Sequence, residues 1–360
     1  MSSQQSTVYY DSLKGMLLKY DKYSRKSRFL GKGLEDFQKW KINSKNILCN
    51  LLGLSLMDRT ELNPQMLESG PYTDGISFEK ILLETEPDIY MPVLILIPKT
   101  TPKGVFLAMS GHRGVGKESV AGHHVNSTVD GAIEFYNYDY GYQLAKLGYV
   151  VACPETRGFG ERRDAAAQGN TPEKLLSCSC FQLAHMAEGM GETVVGMQVW
   201  DNMRLIDYLE RRAEWSLDNL GSIGFSGGGM QTLWLSAMDA RVKQVYISGY
   251  FYGARDSFML LNGNCSCNYV PGLWRHFDLG DIASIIAPKP MVIQTCSEDA
   301  LNGPRGLKNV EEQLQILRKA YSFYNAEDRL IHEIFPGQHH MHTDNLEKLT
   351  NQFDSILRKM

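Results

Sequence analysis

The sequence predicts an α/β fold, a mostly parallel central sheet with helices on both faces. Three observations carry this. Apolar runs of strand length recur at residues 104–110, 148–153, 221–225, 290–296 and 330–335. Segments of helical periodicity alternate with strands, as the crossovers of a parallel sheet require. Every candidate for chemistry falls just beyond the carboxyl end of one of these runs, where open α/β sheets bind ligands.

Composition limits the function. The 360 residues suffice for one large domain with added elements. Hydrophobic residues make up 43% and charged residues 22%, the balance of an ordinary globular protein. The formal net charge of −4 gives no basic footprint, so no nucleic-acid partner is expected. No apolar run approaches transmembrane length, so no membrane partner is expected either. The start, Met1-Ser-Ser-Gln-Gln-Ser-Thr-Val, lacks the basic-then-apolar signature of a secretory signal, and the expected location is cytoplasmic. The odd count of seven cysteines favours free thiols over a disulfide framework.

Taken in order, residues 1–70 read as an N-terminal helical extension packed on a main domain of residues 71–360. Residues 34–41 and 44–53 carry apolar side chains at helical spacing, and Gly53 is a plausible stop. Asn63-Pro64 and Ser69-Gly70-Pro71 read as loop. Nothing here looks catalytic; the alternative role is an interface between copies of the chain. Residues 76–85 and 90–98 predict a first, antiparallel strand pair. A helix follows over 140–148. Another, over about 193–213, places Val199, Met203, Ile206 and Leu209 on one face. Two insertions, at about 155–191 and 249–281, are placed to shape a pocket.

The chain is organised around Gly224-Phe225-Ser226-Gly227-Gly228, a G-x-S-x-G between an apolar strand and a helix start. A serine hydroxyl is a poor nucleophile until a rigid turn presents it and a base takes its proton. Glycines two residues before and after the serine remove the side chains that would collide in that turn. Beyond the strand at 290–296 come Glu298 and Asp299, where a histidine-orienting carboxylate belongs. Beyond the strand at 330–335 come His339, His340 and His342. The order Ser, then acid, then His is that of the α/β-hydrolases.

The loop Gly111-His112-Arg113-Gly114-Val115-Gly116-Lys117 is glycine-rich, but it lacks P-loop spacing and has Glu118 where a P-loop has Ser or Thr. In an α/β-hydrolase this loop gives one backbone N–H of the oxyanion hole and the residue after the nucleophile gives the other. These map to His112 or Arg113, and to Gly227. His123 and His124 are expected at the surface or a pocket wall rather than on a metal. Cys178-Ser-Cys180 and Cys265-Ser-Cys267 are spaced more tightly than the usual zinc C-x₂₋₄-C. They are read as small, partly buried thiols near a pocket, and no metal is expected. Arg157, Tyr250, Tyr269 and Trp274 are the substrate-binding candidates. A structural ion pair is the competing fate for Arg157, and burial of a long loop for the aromatics.

Residues 110–119, 154–161, 200–209, 221–229 and 267–273 hold Ser-Gly-His-Arg-Gly-Val-Gly-Lys-Glu-Ser, Pro-Glu-Thr-Arg-Gly-Phe-Gly-Glu, Trp-Asp-Asn-Met-Arg-Leu-Ile-Asp-Tyr-Leu, Gly-Ser-Ile-Gly-Phe-Ser-Gly-Gly-Gly and Cys-Asn-Tyr-Val-Pro-Gly-Leu. These resemble the dienelactone-hydrolase-like and acetyl-xylan-esterase-like α/β-hydrolases of bacteria, over most of residues 75–345. The resemblance implies Ser226 as nucleophile, Asp299 as triad acid and His339 as base. Gly337-Gln338-His339 stands where the family often has Gly-Gly-His. The implied activity is serine carboxylic-ester hydrolysis without cofactor, on small acyl esters such as acetylated sugars or xylo-oligosaccharides. The alternatives are a lactone or peptide hydrolase with the same triad, and a non-catalytic binding protein of the same fold.

Overall fold

The computed structural model describes residues 8–261 and 264–359. Its strands are β1 Gln65–Pro71, β2 Ser77–Glu86, β3 Ile89–Ile97, β4 Val105–Met109, β5 Val150–Pro154, β6 Gly221–Phe225, β7 Gln244–Ser248, β8 Met291–Cys296 and β9 Leu330–Phe335. They form one nine-stranded sheet in the order β1-β2-β3-β5-β4-β6-β7-β8-β9. β1, β2, β3 and β5 pair antiparallel in succession; every pairing from β5 through β9 is parallel. The chain runs from β4 out to β5, then returns to β6 on the other side of β4. The strand order reverses there, and the loops after β4 and β6 open on the crevice where α/β sheets bind ligands.

Strands β4 to β8 are buried on both faces, and the side-chain period of two splits them between two cores. Val105, Leu107 and Met109 join one core, with the helices Leu34–Leu52, Val194–Arg212, Gly227–Met238 and Leu307–Ser322. Phe106 and Ala108 join the other, with Ser127–Tyr136, Tyr140–Lys146 and Leu346–Leu357. Val150 and Ala152 face the first core, Val151 and Cys153 the second. The Val194–Arg212 helix starts at Thr193, whose hydroxyl accepts from the Gly196 N–H at 3.1 Å. Val199, Ile206 and Leu209 are fully buried along it, with Met203 packed at their edge.

Residues 34–52 form one continuous helix that ends at Gly53, whose φ of 75° is the left-handed stop. Leu48 and Leu52 lie in the first core, and the Leu52 carbonyl accepts from the Thr193 hydroxyl at 3.0 Å. Arg25 donates twice to Asp281, at 2.7 and 2.8 Å. Residues 69–71 are not loop: they close the edge strand β1. Six of the seven β1 residues are exposed, so the strand lacks the apolar alternation by which strands are recognised. Glycine and proline are tolerated at such an edge. Among the described residues, no helix is long and apolar enough to cross a membrane.

Candidate active site

Ser226 sits between β6 and the Gly227–Met238 helix with φ 56° and ψ −119°. This is a conformation that a residue with a side chain rarely adopts, and such strain concentrates at functional positions. The turn is held by the Ser226 N–H on the Ser248 carbonyl at 2.9 Å. The flanking glycines are required by contact. A β-carbon on Gly224 would lie 2.2 Å from the Gly228 carbonyl carbon, and one on Gly228 would lie 1.9 Å from the Met109 carbonyl oxygen. The helix therefore starts directly against the end of β4.

His339 and Asp299 arrive from the loops after β9 and β8, and His339 Nδ1 is 2.6 Å from Asp299 Oδ2. Asp299 is buried, and its other oxygen accepts from the Leu301 N–H at 2.9 Å. The His339 ring lies over Phe225, the residue before the serine, with centroids 4.4 Å apart. His340 points elsewhere. Its Nε2 lies 2.8 Å from Asn137 Nδ2 and its Nδ1 3.0 Å from the Phe135 carbonyl. His342 stacks on Phe335 at 3.8 Å, and burial pushes its pKa down. The Glu298 N–H donates to the Gly337 carbonyl at 2.9 Å.

Ser226, Gly227, His112, Arg113, Asp299 and His339 all line one open cleft of about 1060 Å³. Arg113 has φ 59° and Val115 φ 55°, so the loop after β4 is itself tightly wound. The Tyr138 hydroxyl anchors it by donating to the His112 carbonyl at 2.8 Å. Gly227 opens its helix, so its N–H has no partner within it. Among the described residues, no loop carbonyl takes the N–H of Gly227, His112 or Arg113.

Three of the four substrate-binding candidates lie away from the cleft. Arg157 is buried on Asp201, with Nε to Oδ2 at 3.0 Å and Nη2 to Oδ1 at 2.6 Å, and on Glu86 at 2.8 Å. Burial opposes charge on Asp201, but Arg157 and Arg162 hold its carboxyl well below the usual range. The guanidinium is consumed by structure. Trp274 stacks on Phe258 at 6.0 Å and meets Tyr20 of the N-terminal extension edge-on at 6.4 Å. The Tyr269 hydroxyl donates to the Phe258 carbonyl at 3.2 Å. These two aromatics bury their long loop. Tyr250 does line the cleft, and its hydroxyl donates to Asn268 Oδ1 at 2.9 Å. His123 pairs with Glu118 at 2.6 Å, half-buried, and His124 with Asp130 at 2.8 Å at the surface.

Sequence reasoning missed other lining residues. Phe135 and Tyr136 come from the end of the Ser127–Tyr136 helix, and Asn268 from the second insertion. The helix end carries no local motif. Cys178 and Cys265 also line the cleft, one from each insertion. The two C-x-C pairs, far apart in sequence, meet here beside His112, with Cys178 Sγ 3.9 Å from Cys265 Sγ.

The Abhydrolase family model matches residues 4–350. YtaP of Bacillus subtilis (strain 168), which carries the name of a putative hydrolase, is 28% identical over 274 residues, 74% of this chain and 84% of its own. Among solved structures, the chain is similar to a Bacteroides fragilis NCTC 9343 protein titled a putative acetyl xylan esterase. The TM-score is 0.74 at 16% identity, covering 93% of this chain and 84% of that one. It is similar also to a glucuronoyl esterase from Solibacter usitatus, with a TM-score of 0.63 at 15% identity, covering 93% and 96%. At such identities the solved structures speak for the fold. The family match spans nearly the whole sequence, and the chain belongs to the Abhydrolase family, with an α/β-hydrolase fold.

Proposed function

We propose that this protein is a serine carboxylic-ester hydrolase in which Ser226, His339 and Asp299 act as nucleophile, base and orienting acid. The observation that carries the reading is the strained Ser226 elbow sharing one cleft with a 2.6 Å His339–Asp299 pair. Asp299 accepts a hydrogen bond from the Nδ1–H of His339, which leaves Nε2 as the free base. His339 removes the Ser226 proton as the oxygen attacks the ester carbonyl. Asp299 then stabilises the imidazolium. Charge developing on the carbonyl oxygen meets the N–H of Gly227 and that of His112 or Arg113, each worth roughly 3 kcal/mol of barrier. The imidazolium protonates the leaving alcohol. Water, activated by the same histidine, hydrolyses the acyl-enzyme.

The substrate we infer is a short acyl ester of a sugar, such as an acetylated xylo-oligosaccharide. The cleft is open and roomy, and it mixes rings from Phe135, Tyr136, Tyr250 and Tyr252 with the amides of Asn264, Asn268 and Gln338. Ring faces and amides are what a carbohydrate alcohol needs. Neighbours named for acetyl xylan and glucuronoyl esters support the same class. The test is a panel of p-nitrophenyl acetate, butyrate and octanoate with acetylated xylo-oligosaccharides, on wild type and Ser226→Ala. The expected result is acetate release that falls to background in the variant. Turnover retained by Ser226→Ala, or a folded wild type that neither turns over an ester nor reacts with a fluorophosphonate at Ser226, would overturn the reading.

A further inference from the structure

We propose that Cys180, Cys265, Cys267 and His112 bind one zinc ion, in a closed site that clamps both insertions to the loop after β4. The ligand atoms of these four residues all lie within 4.8 Å of one another. Cys180 and Cys267 are fully buried, and Cys265 and His112 half-buried. The three thiols and the imidazole come from three separate segments of the chain. Nothing in the ester chemistry proposed above uses the thiols.

The spacing suits zinc. With Zn–S near 2.3 Å and Zn–N near 2.0–2.1 Å, a tetrahedral site puts sulfur and nitrogen about 3.6 Å apart and two sulfurs about 3.8 Å apart. His112 Nε2 lies 3.5 Å from Cys267 Sγ. The remaining separations are at most 4.8 Å, within about 1 Å of the tetrahedral edge. Cys178 is the fifth donor. It lines the cleft, as Cys265 and His112 do, and its sulfur is 3.9 Å from that of Cys265. A disulfide needs about 2.05 Å, so this contact is not one.

The surroundings suit a metal site too. Asn268 Nδ2 donates to Cys267 Sγ at 3.6 Å, and Asn268 is itself held by the Tyr250 hydroxyl at 2.9 Å. Outer-shell donors of this kind orient thiolates and spread their charge. Binding would release the three thiol protons to solvent, with His112 neutral, leaving a site of net charge −1. Four protein ligands leave no open position, so the ion is structural and takes no part in the reaction.

The consequence reaches the catalytic loop. A β-carbon on Gly227 would lie 2.8 Å from His112 Nδ1, so the His112 ring is wedged against the start of the helix that carries Ser226. Coordination through Nε2 would fix that ring, and with it the main chain offered as an oxyanion donor. C-x-C spacing within one pair argues against a zinc knuckle. It says nothing against a site assembled from two pairs and a distant histidine.

The experiment uses the full chain, purified under reducing conditions, stripped with a chelator, and titrated with Zn²⁺ and Co²⁺. The readouts are metal per chain after dialysis and the thiolate-to-cobalt charge-transfer spectrum, neither of which depends on turnover. We expect one zinc per chain and a tetrahedral, thiolate-rich Co²⁺ spectrum. Cys267→Ser and His112→Ala should each weaken binding at least about 100-fold, and Asn268→Ala about 10-fold or more. Cys178→Ser should keep one zinc. If Cys267→Ser does not fold, the wild-type spectrum and Cys178→Ser decide the matter. A folded, reduced wild type that retains well under one zinc per chain would overturn the proposal. So would a cobalt complex without thiolate charge transfer, or a site lost with Cys178→Ser but kept by His112→Ala.

Discussion

Replacing Asp299 with asparagine tests the proposed triad through a single atom. The side chain is buried, and both its oxygens are engaged: Oδ2 with His339 Nδ1 at 2.6 Å, Oδ1 with the Leu301 N–H at 2.9 Å. An asparagine seated there has two choices. If its oxygen keeps the Leu301 N–H, its NH₂ faces Nδ1, which must then accept. The ring proton moves to Nε2, and the base is gone. If the amide turns over, its NH₂ opposes the Leu301 N–H, and two buried donors face each other at a cost of about 2 kcal/mol. Reaching the reactive tautomer therefore costs about 2 kcal/mol before any chemistry. Loss of the carboxylate that stabilises the imidazolium adds about 3 kcal/mol, the scale of a charge-assisted hydrogen bond. The sum is about 5 kcal/mol, or roughly 10⁴-fold in rate. The assay is kcat/KM on p-nitrophenyl acetate with the rate of fluorophosphonate labelling, alongside a urea midpoint. Asp299→Asn should lose about 10⁴-fold in both rates and keep its midpoint, since the Leu301 bond survives. A folded variant within tenfold of wild type would refute the assignment, and a large loss in Glu298→Gln instead would move the role to Glu298.

Three further outcomes follow from the geometry. His339→Gln should abolish serine-dependent turnover, by about 10⁴-fold or more, while His340→Gln, whose ring is tied to Asn137 and Phe135, should stay within about threefold in the same assay. Arg157→Ala should destabilise the fold by about 3 kcal/mol in urea, because buried Asp201 loses one of its two guanidinium partners, yet leave the KM of the folded fraction unchanged. Burial holds the His332 pKa down at about 4, so the folded protein stays neutral there while the unfolded chain takes a proton below about 6.5. Stability should fall as pH drops from about 6.5 to 4, and His332→Gln should flatten that slope in urea midpoints measured across the window.

The sequence announces what depends on local pattern. The Gly224–Gly228 elbow is readable because each glycine is needed within a few residues of Ser226, and the buried strands are readable because burial on both faces leaves a continuous apolar run. β1 is not readable, since an exposed edge strand needs no apolar pattern. Position beyond β8 and β9 narrows the candidates for acid and base, but the 2.6 Å contact with Asp299 is what favours His339 over His340 in the proposed triad. The fate of Arg157 is decided by Asp201 and Glu86, distant in sequence on different elements. Trp274 and Tyr269 look like cleft aromatics in a loop inserted after β7, yet the Trp274 ring packs on Tyr20 and Phe258. The meeting of the two C-x-C pairs is a property of two insertions folding over the same strand ends, and no spacing within either pair encodes it.

A catalyst that stabilises an oxyanion through backbone N–H groups gains most when those groups are fixed before the charge appears. Here each segment around Ser226 is held by a different kind of force. The elbow is fixed by contact, with Gly228 pressed on the Met109 carbonyl. The start of the first insertion is fixed by charge: Lys117 is buried among Glu118, Glu155 and Glu161, and Arg157 and Arg162 converge on Asp201. The tips of both insertions are drawn together at the thiols around His112. Contact and buried charge act in any solvent condition that leaves the fold intact, but thiols hold a loop only when a metal or an oxidant joins them. Among the described residues, the cysteine cluster is thus the clamp on the proposed oxyanion loop whose strength is set from outside the chain.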